Sequence, residues 1–129
     1  MNYVALFAGV LVLLAAGVHA VVGGRELGLI KPTERGKVLE GWVQSLAGWH
    51  WVSLDQLMAG CALVVIGATA WIPDESVVLY GLSIYFAACG VVWLVVVLLA
   101  GQQVAGRFYR LGQWMYCLLI AVLSFVAAA

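Results

Sequence analysis

Apolar residues fall along this chain in four long runs separated by polar connections. The runs extend from Tyr3 to Val22, from His50 to Ile72, from Val77 to Ala100 and from Leu111 to Ala129. They are continuous, without the alternation of a half-buried strand, and their length suits helices. At about 1.5 Å rise per residue, roughly twenty residues cross the roughly 30 Å hydrocarbon core of a bilayer. Strands are excluded, because four short ones cannot close a barrel and an open sheet has no place in lipid. The pattern predicts an all-α fold: a four-transmembrane-helix bundle in one integral membrane domain over residues 1–129. Gly23-Gly24, Pro73 and Gly101 are the expected stops of the first three helices.

The stretch from Thr33 to Ala47 follows a different pattern. Val38, Leu39, Trp42, Val43 and Leu46 recur at helical spacing, with Lys37, Glu40, Gln44 and Ser45 on the other side. A straight helix from Thr33 to Ile72 would be about 60 Å long, twice the apolar thickness. An interfacial amphipathic helix over 33–47 is therefore expected, with a bend near Gly48. The alternative is one long helix that protrudes from the membrane.

Composition agrees with the pattern. Of 129 residues, 66% are hydrophobic and 9% charged, against about half and a quarter in soluble domains. Six basic residues balance six acidic ones, so neither nucleic acid nor a strongly charged partner is indicated. The expected partners are the lipid bilayer and either further copies of the chain or a larger membrane complex. Arg25, Lys31, Arg35 and Lys37 lie in the first connection, and Arg107 and Arg110 in the third. The positive-inside rule then puts those connections in the cytoplasm and both termini on the outer, periplasmic side of a bacterial inner membrane. No Lys or Arg precedes Arg25, so the first run lacks the basic start of a secretory signal and is expected to be a retained helix. Cys61, Cys89 and Cys117 all lie in apolar runs, an odd number that argues against disulfides.

The polar side chains at membrane depth gather toward the cytoplasmic side. His19 lies near the end of the first helix, and His50 opens the second from the same side. Ser53, Asp55 and Gln56 follow on the second helix, and Gln102, Gln103, Arg107, Arg110 and Gln113 reach the same level. Ionisable residues inside a membrane are costly and usually face a protein interior or a wet cavity. A charged Asp55 costs roughly 2.5–3.5 kcal/mol at a helix centre, and its expected partner is either a neighbour of Gln56 on another helix or a cation such as Arg107 or Arg110. His19 and His50 are a candidate ligand pair for haem or a transition metal, with Arg107 and Gln113 supporting the cofactor. Beside Gly23-Gly24, Arg25 could grip a lipid phosphate or a quinone headgroup, or Arg25 or Glu26 could simply form an interfacial ion pair. Ser53 is expected to bond back to the carbonyl four residues before it, rather than to act as a nucleophile with His50. Cys61 and Cys89 are best read as packing residues. Ala59, Gly60, Gly67, Gly81, Ala87, Ala88 and Gly90 suit close helix contact, and Trp93, away from either aromatic belt, suits the wall of a cavity.

The order of His19 with Gly23-Gly24, Trp49-His50-Trp51-Val52-Ser53 and Gln113-Trp114 resembles that of small, functionally unassigned four-helix integral membrane proteins of bacteria. In that group a first-helix His precedes a glycine turn, a Trp-His-x-x-Ser begins the second helix, and a Gln-Trp starts the last. The resemblance implies no particular activity, but it singles out His19, His50, Ser53 and Gln113.

The leading expectation is a His-centred polar pocket near the cytoplasmic side that binds a cofactor, metal or quinone-like ligand, with electron transfer as one use. The first alternative is a non-catalytic accessory or assembly subunit of a larger complex. The second is a proton-coupled small transporter, working as an oligomer, with Asp55 as its titrating group. No nucleophile and base pair, and no carboxylate pair, supports an enzyme.

Overall fold

The structure, a computed structural model, describes residues 1–100 and 106–129 and the side chains of all of these except Arg110. Gln102 and Gln103 lie outside the described residues. The described residues are mostly helical, with no strand among them. Helix α1 spans Tyr3–Val18 and runs through a single wide π turn, His19–Gly23, into α2, Gly24–Leu29. Helix α3 covers Lys37–Ala68, α4 Glu75–Leu99, α5 Arg107–Arg110 and α6 Gln113–Ala128. Three helical stretches are long and apolar enough to cross a membrane: Tyr3–Leu29, Lys37–Ala68 and Glu75–Leu99. Helix α6 is apolar but shorter. Its 16 residues measure about 24 Å.

Several boundaries differ from the expected ones, each for a local reason. Gly23-Gly24 does not end the first helix, which absorbs it in the π turn and continues to Leu29. No separate helix covers 33–47. Instead α3 begins after Gly36, whose φ of 102° only glycine adopts freely, and runs unbroken through Gly48. The first turns of α3 fold back on the preceding segment: Trp42 Nε1 donates to the Leu27 carbonyl at 3.0 Å, and the Lys31 ammonium sits 5.5 Å from the Trp42 ring centre. Those contacts hold the extension as a continuation of the second span. At its other end α3 stops at Ala68, short of Ile72. There Thr69 turns extended, bonds its hydroxyl to the Val65 carbonyl at 2.8 Å, and accepts the Trp71 amide at 3.2 Å. Pro73 keeps Ile72 out of helical geometry, and α4 starts after Asp74 in the left-handed region.

The long helices pack in the order α3, α1, α6, α4, while α3 and α4 barely touch although only 69–74 separates them. Between α1 and α3 the contact is backbone to backbone. A Cβ on Gly67 would lie 2.5 Å from the Leu6 amide nitrogen, one on Gly9 2.7 Å from that of Val64, and one on Gly60 2.8 Å from the Leu13 side chain. Gly90 serves the α4–α6 contact in the same way, facing Leu118. Lipid is as apolar as leucine, so close van der Waals contact rather than the hydrophobic effect drives such pairing. Gly81 and Ala88, expected to share this role, stay exposed on α4.

Asn2 ties the far end of the molecule together. Its side-chain oxygen caps α1 at the Ala5 amide (3.1 Å), its side-chain nitrogen donates to the Ala127 carbonyl on α6 (2.7 Å), and its backbone amide donates to the Gly67 carbonyl on α3 (3.0 Å). Below it Ala5, Ala8, Val12, Ala59, Leu63 and Ile66 form the core, continued by Leu79, Phe86, Ile120 and Ala121. Large apolar side chains such as Phe7, Leu14, Ile84, Val91 and Val122 stay exposed on the outer faces, as on helices solvated by lipid.

The glycine contacts carry a stability prediction. Gly67→Leu should lower the unfolding free energy in detergent by about 1–3 kcal/mol through overpacking. Gly81→Leu, with nothing within 4 Å of the new side chain, should leave it unchanged or raise it slightly. Circular dichroism during denaturant titration of both variants reads the difference.

Candidate functional site

The π turn brings His19 to α3. Its ring lies flat on the Trp49 indole, with centroids 3.9 Å apart and planes 4° from parallel. Trp49 Nε1 donates to the His19 carbonyl at 2.8 Å, so stack and hydrogen bond join the same two residues. Gly23 makes room for them, since a Cβ there would fall inside the Trp49 ring. A π turn carries i→i+5 bonds and so widens the helix locally, and at its first residue the His19 carbonyl accepts from Trp49.

The other edge of the imidazole meets Ser53, with Nδ1 and Oγ 2.9 Å apart. Ser53 Oγ also lies 3.2 Å from the Trp49 carbonyl, where its one proton is donated. This is the expected back-bond. With its proton on the Trp49 carbonyl, the Ser53 oxygen is an acceptor for His19, which favours the neutral tautomer protonated on Nδ1. Nε2 is then left as an acceptor. The serine therefore serves His19, not His50.

Two cavities adjoin this imidazole. The first, about 260 Å³, is lined by His19, Val22, Gly23, Glu26, Trp49, Gln56, Gln113 and Tyr116 among others. The second, about 360 Å³, lies where α3 and α4 fail to meet. Its walls are Val52 and Gln56 from α3, Tyr85, Phe86, Cys89, Val92 and Trp93 from α4, and Gln113, Tyr116 and Cys117 from α6, with His19. His19, Gln56, Gln113 and Tyr116 are common to both. Three of these carry a buried polar atom with no hydrogen-bond partner among the described residues: Gln56 Oε1, Gln113 Oε1 and the Tyr116 hydroxyl. Each such atom costs about 1–3 kcal/mol while unsatisfied, so three together around one cavity ask for an occupant.

The expected site residues thus divide. His19, Gln56 and Gln113 converge, Glu26 lines the smaller cavity, and Ser53 orients His19. His50 is exposed, with its Cε1 3.6 Å from where a Cβ on Gly24 would be, and lines neither cavity. Arg25 is exposed and outside both; Arg107 is half-buried and also outside both, with its guanidinium 5.0 Å from the Phe108 ring centre. Asp55 has a partner on α4: the Tyr85 hydroxyl donates to Asp55 Oδ2 at 3.4 Å, a long bond spanning the gap between α3 and α4. Among the described residues no three His, Cys, Asp or Glu side chains come together to hold a metal ion. Trp93 does line a cavity, and Cys89 and Cys117 line it too, whereas Cys61 is exposed. Tyr116 and the stacking role of Trp49 were not anticipated. Tyr116 lies three residues after Gln113, on the same helix face, and that spacing is the signal that could have found it.

No protein family, no curated protein and no solved structure matches the chain.

The Gly23 contact makes a direct prediction. Gly23→Val should expel Trp49 from the stack, and the indole N–H resonance of Trp49 should move toward its solvent-exposed position in a nitrogen-correlated NMR spectrum. Gly28→Val, where the new side chain meets nothing within 4 Å, should leave that resonance in place.

Proposed function

We propose that this chain is a four-span membrane protein that holds a small amphipathic molecule between α3 and α4. The head of the ligand meets His19, Gln56, Gln113 and Tyr116. Its apolar body lies against Phe86, Val92 and Trp93. The observation that carries this reading is the set of three unpartnered buried polar atoms around a chamber whose other walls are apolar, the usual make-up of a ligand site. In this reading α6 is the fourth span. Both termini face the periplasm and the basic connections face the cytoplasm, which puts the His19 end on the cytoplasmic side.

The donor set supports an organic head over a metal. Two amides and a phenol with a single imidazole suit hydrogen bonding, whereas transition metals favour several imidazoles or thiolates. A haem or metal held by His19 and His50 remains the competing form of the same reading. Exposed Gly81 and Ala88 on α4, seven residues apart on one face, favour a second reading in which that face receives a helix of another copy or of a larger complex.

A decylphenol carrying a ring bromine is a suitable probe, because the heavy atom quenches nearby tryptophans such as Trp93. Saturable quenching should appear in the wild-type protein and weaken about fivefold in Gln113→Leu, the equivalent of about 1 kcal/mol for one lost hydrogen bond. Quenching that never saturates, following only partition into detergent, would overturn the reading. An absorption spectrum and metal analysis of the same preparation decide the competing form. A Soret band or stoichiometric metal, lost in His19→Ala/His50→Ala, would replace the organic ligand with a haem or metal.

A further inference from the structure

The polar head just proposed meets groups that both give and take hydrogen bonds. Each glutamine offers an oxygen and an amide nitrogen at the end of one side chain, and a flip exchanges them. The Tyr116 hydroxyl donates or accepts. His19 is held so that only its second ring nitrogen can change role. With Nδ1–H fixed on Ser53, Nε2 accepts in the neutral ring and donates in the protonated one. A head of fixed character, such as an alcohol or a carboxylate, needs no such set. A head that changes between carbonyl and hydroxyl needs every partner to be reversible.

We infer that the ligand belongs to the quinone and quinol class, and that His19 Nε2 is the group that distinguishes its two forms. This rests on the ligand-binding reading above. The apolar chamber, narrow and bounded by Phe86 and Trp93, suits a flat ring with a hydrocarbon tail directed through the gap between α3 and α4. The smaller cavity shares His19 and reaches exposed Glu26, which gives the imidazole a polar route for proton exchange away from the lipid side. Neutral His19 accepts the hydroxyl of a quinol, while protonated His19 donates to a quinone carbonyl. The preference for quinol over quinone therefore rises with pH across the titration of His19.

Other ionisable groups stand around this ring. Glu26 comes from α2, His50 and Asp55 from α3, Tyr85 and Cys89 from α4, and Tyr116 and Cys117 from α6. Of these His50 is the other imidazole, so its substitution serves as the control.

The test uses the full chain in mild detergent with a decyl-substituted benzoquinone, its quinol kept under reducing conditions, and the dimethyl ether of that quinol, which has no hydroxyl to donate. Quinone binding is read by tryptophan quenching, and the other two by displacement of the brominated decylphenol. The quinol should bind at least about tenfold tighter than its dimethyl ether, the equivalent of about 1.4 kcal/mol. The ratio of quinol to quinone affinity should rise with pH in the wild type and in His50→Gln, and be flat in His19→Gln. Equal binding of quinol and dimethyl ether, a flat ratio in the wild type, or a pH dependence lost in His50→Gln but kept in His19→Gln would each overturn the inference while the decylphenol still binds. Failure of the decylphenol itself to bind saturably overturns the underlying reading and this inference with it.

Discussion

Everything at the candidate site depends on the seam between α1 and α3. Glycine on both helices lets the two backbones touch, and polar bonds pin the seam at each end. At one end the Asn2 amide reaches the Gly67 carbonyl. At the other the Trp49 indole reaches the His19 carbonyl. With both ends fixed, neither helix can slide along the other by a residue without losing both bonds and driving side chains into glycine positions. That fixed register is what sets the His19 ring against Trp49 and Ser53 and leaves one nitrogen for chemistry.

The environment explains why so few polar groups matter so much. In an apolar surround a hydrogen-bonding group finds no water to replace a missing partner. Serine, tryptophan and histidine therefore satisfy one another in a closed set. The glutamines and Tyr116, one step further from the seam, are left with atoms that this set does not use. The division between satisfied and unsatisfied groups follows the boundary between scaffold and cavity.

Much of this was legible in the sequence. Long apolar runs revealed helices, and the depth of His19, Gln56 and Gln113 along those runs was enough to place them at one level. Depth is a one-dimensional quantity, however, and it says nothing of rotation about the helix axis or of which helices are neighbours. His50 shares the depth of His19 and yet points elsewhere. Asp55 meets Tyr85 because α4 passes beside it, a fact of packing order that no run of apolar residues encodes. The continuity of α3 through Gly48 was hidden for a related reason. A glycine inside a helix costs only about 1 kcal/mol, less than the contacts of Trp42 and Lys31 supply on the far side of it. The π turn was invisible too, because it is forced by tertiary bonds rather than by the local preferences of His19 to Gly23.

The failure of α3 and α4 to meet has a mechanical meaning. In an arrangement of α3, α1, α6 and α4, the two outer helices are positioned mainly by their inner neighbours, with the long Asp55–Tyr85 bond between them. The distance across the chamber is therefore an accumulated quantity, the sum of three separate helix contacts. A methyl group added on Gly9 or Gly90, neither of which lines the chamber, changes that distance as surely as one added on Phe86. In a bilayer the open side of the arc would also be closed by acyl chains, so the lateral pressure of the lipid would press directly on the width of the chamber. A soluble protein insulates its pockets from its solvent, whereas here the solvent would serve as one of the walls.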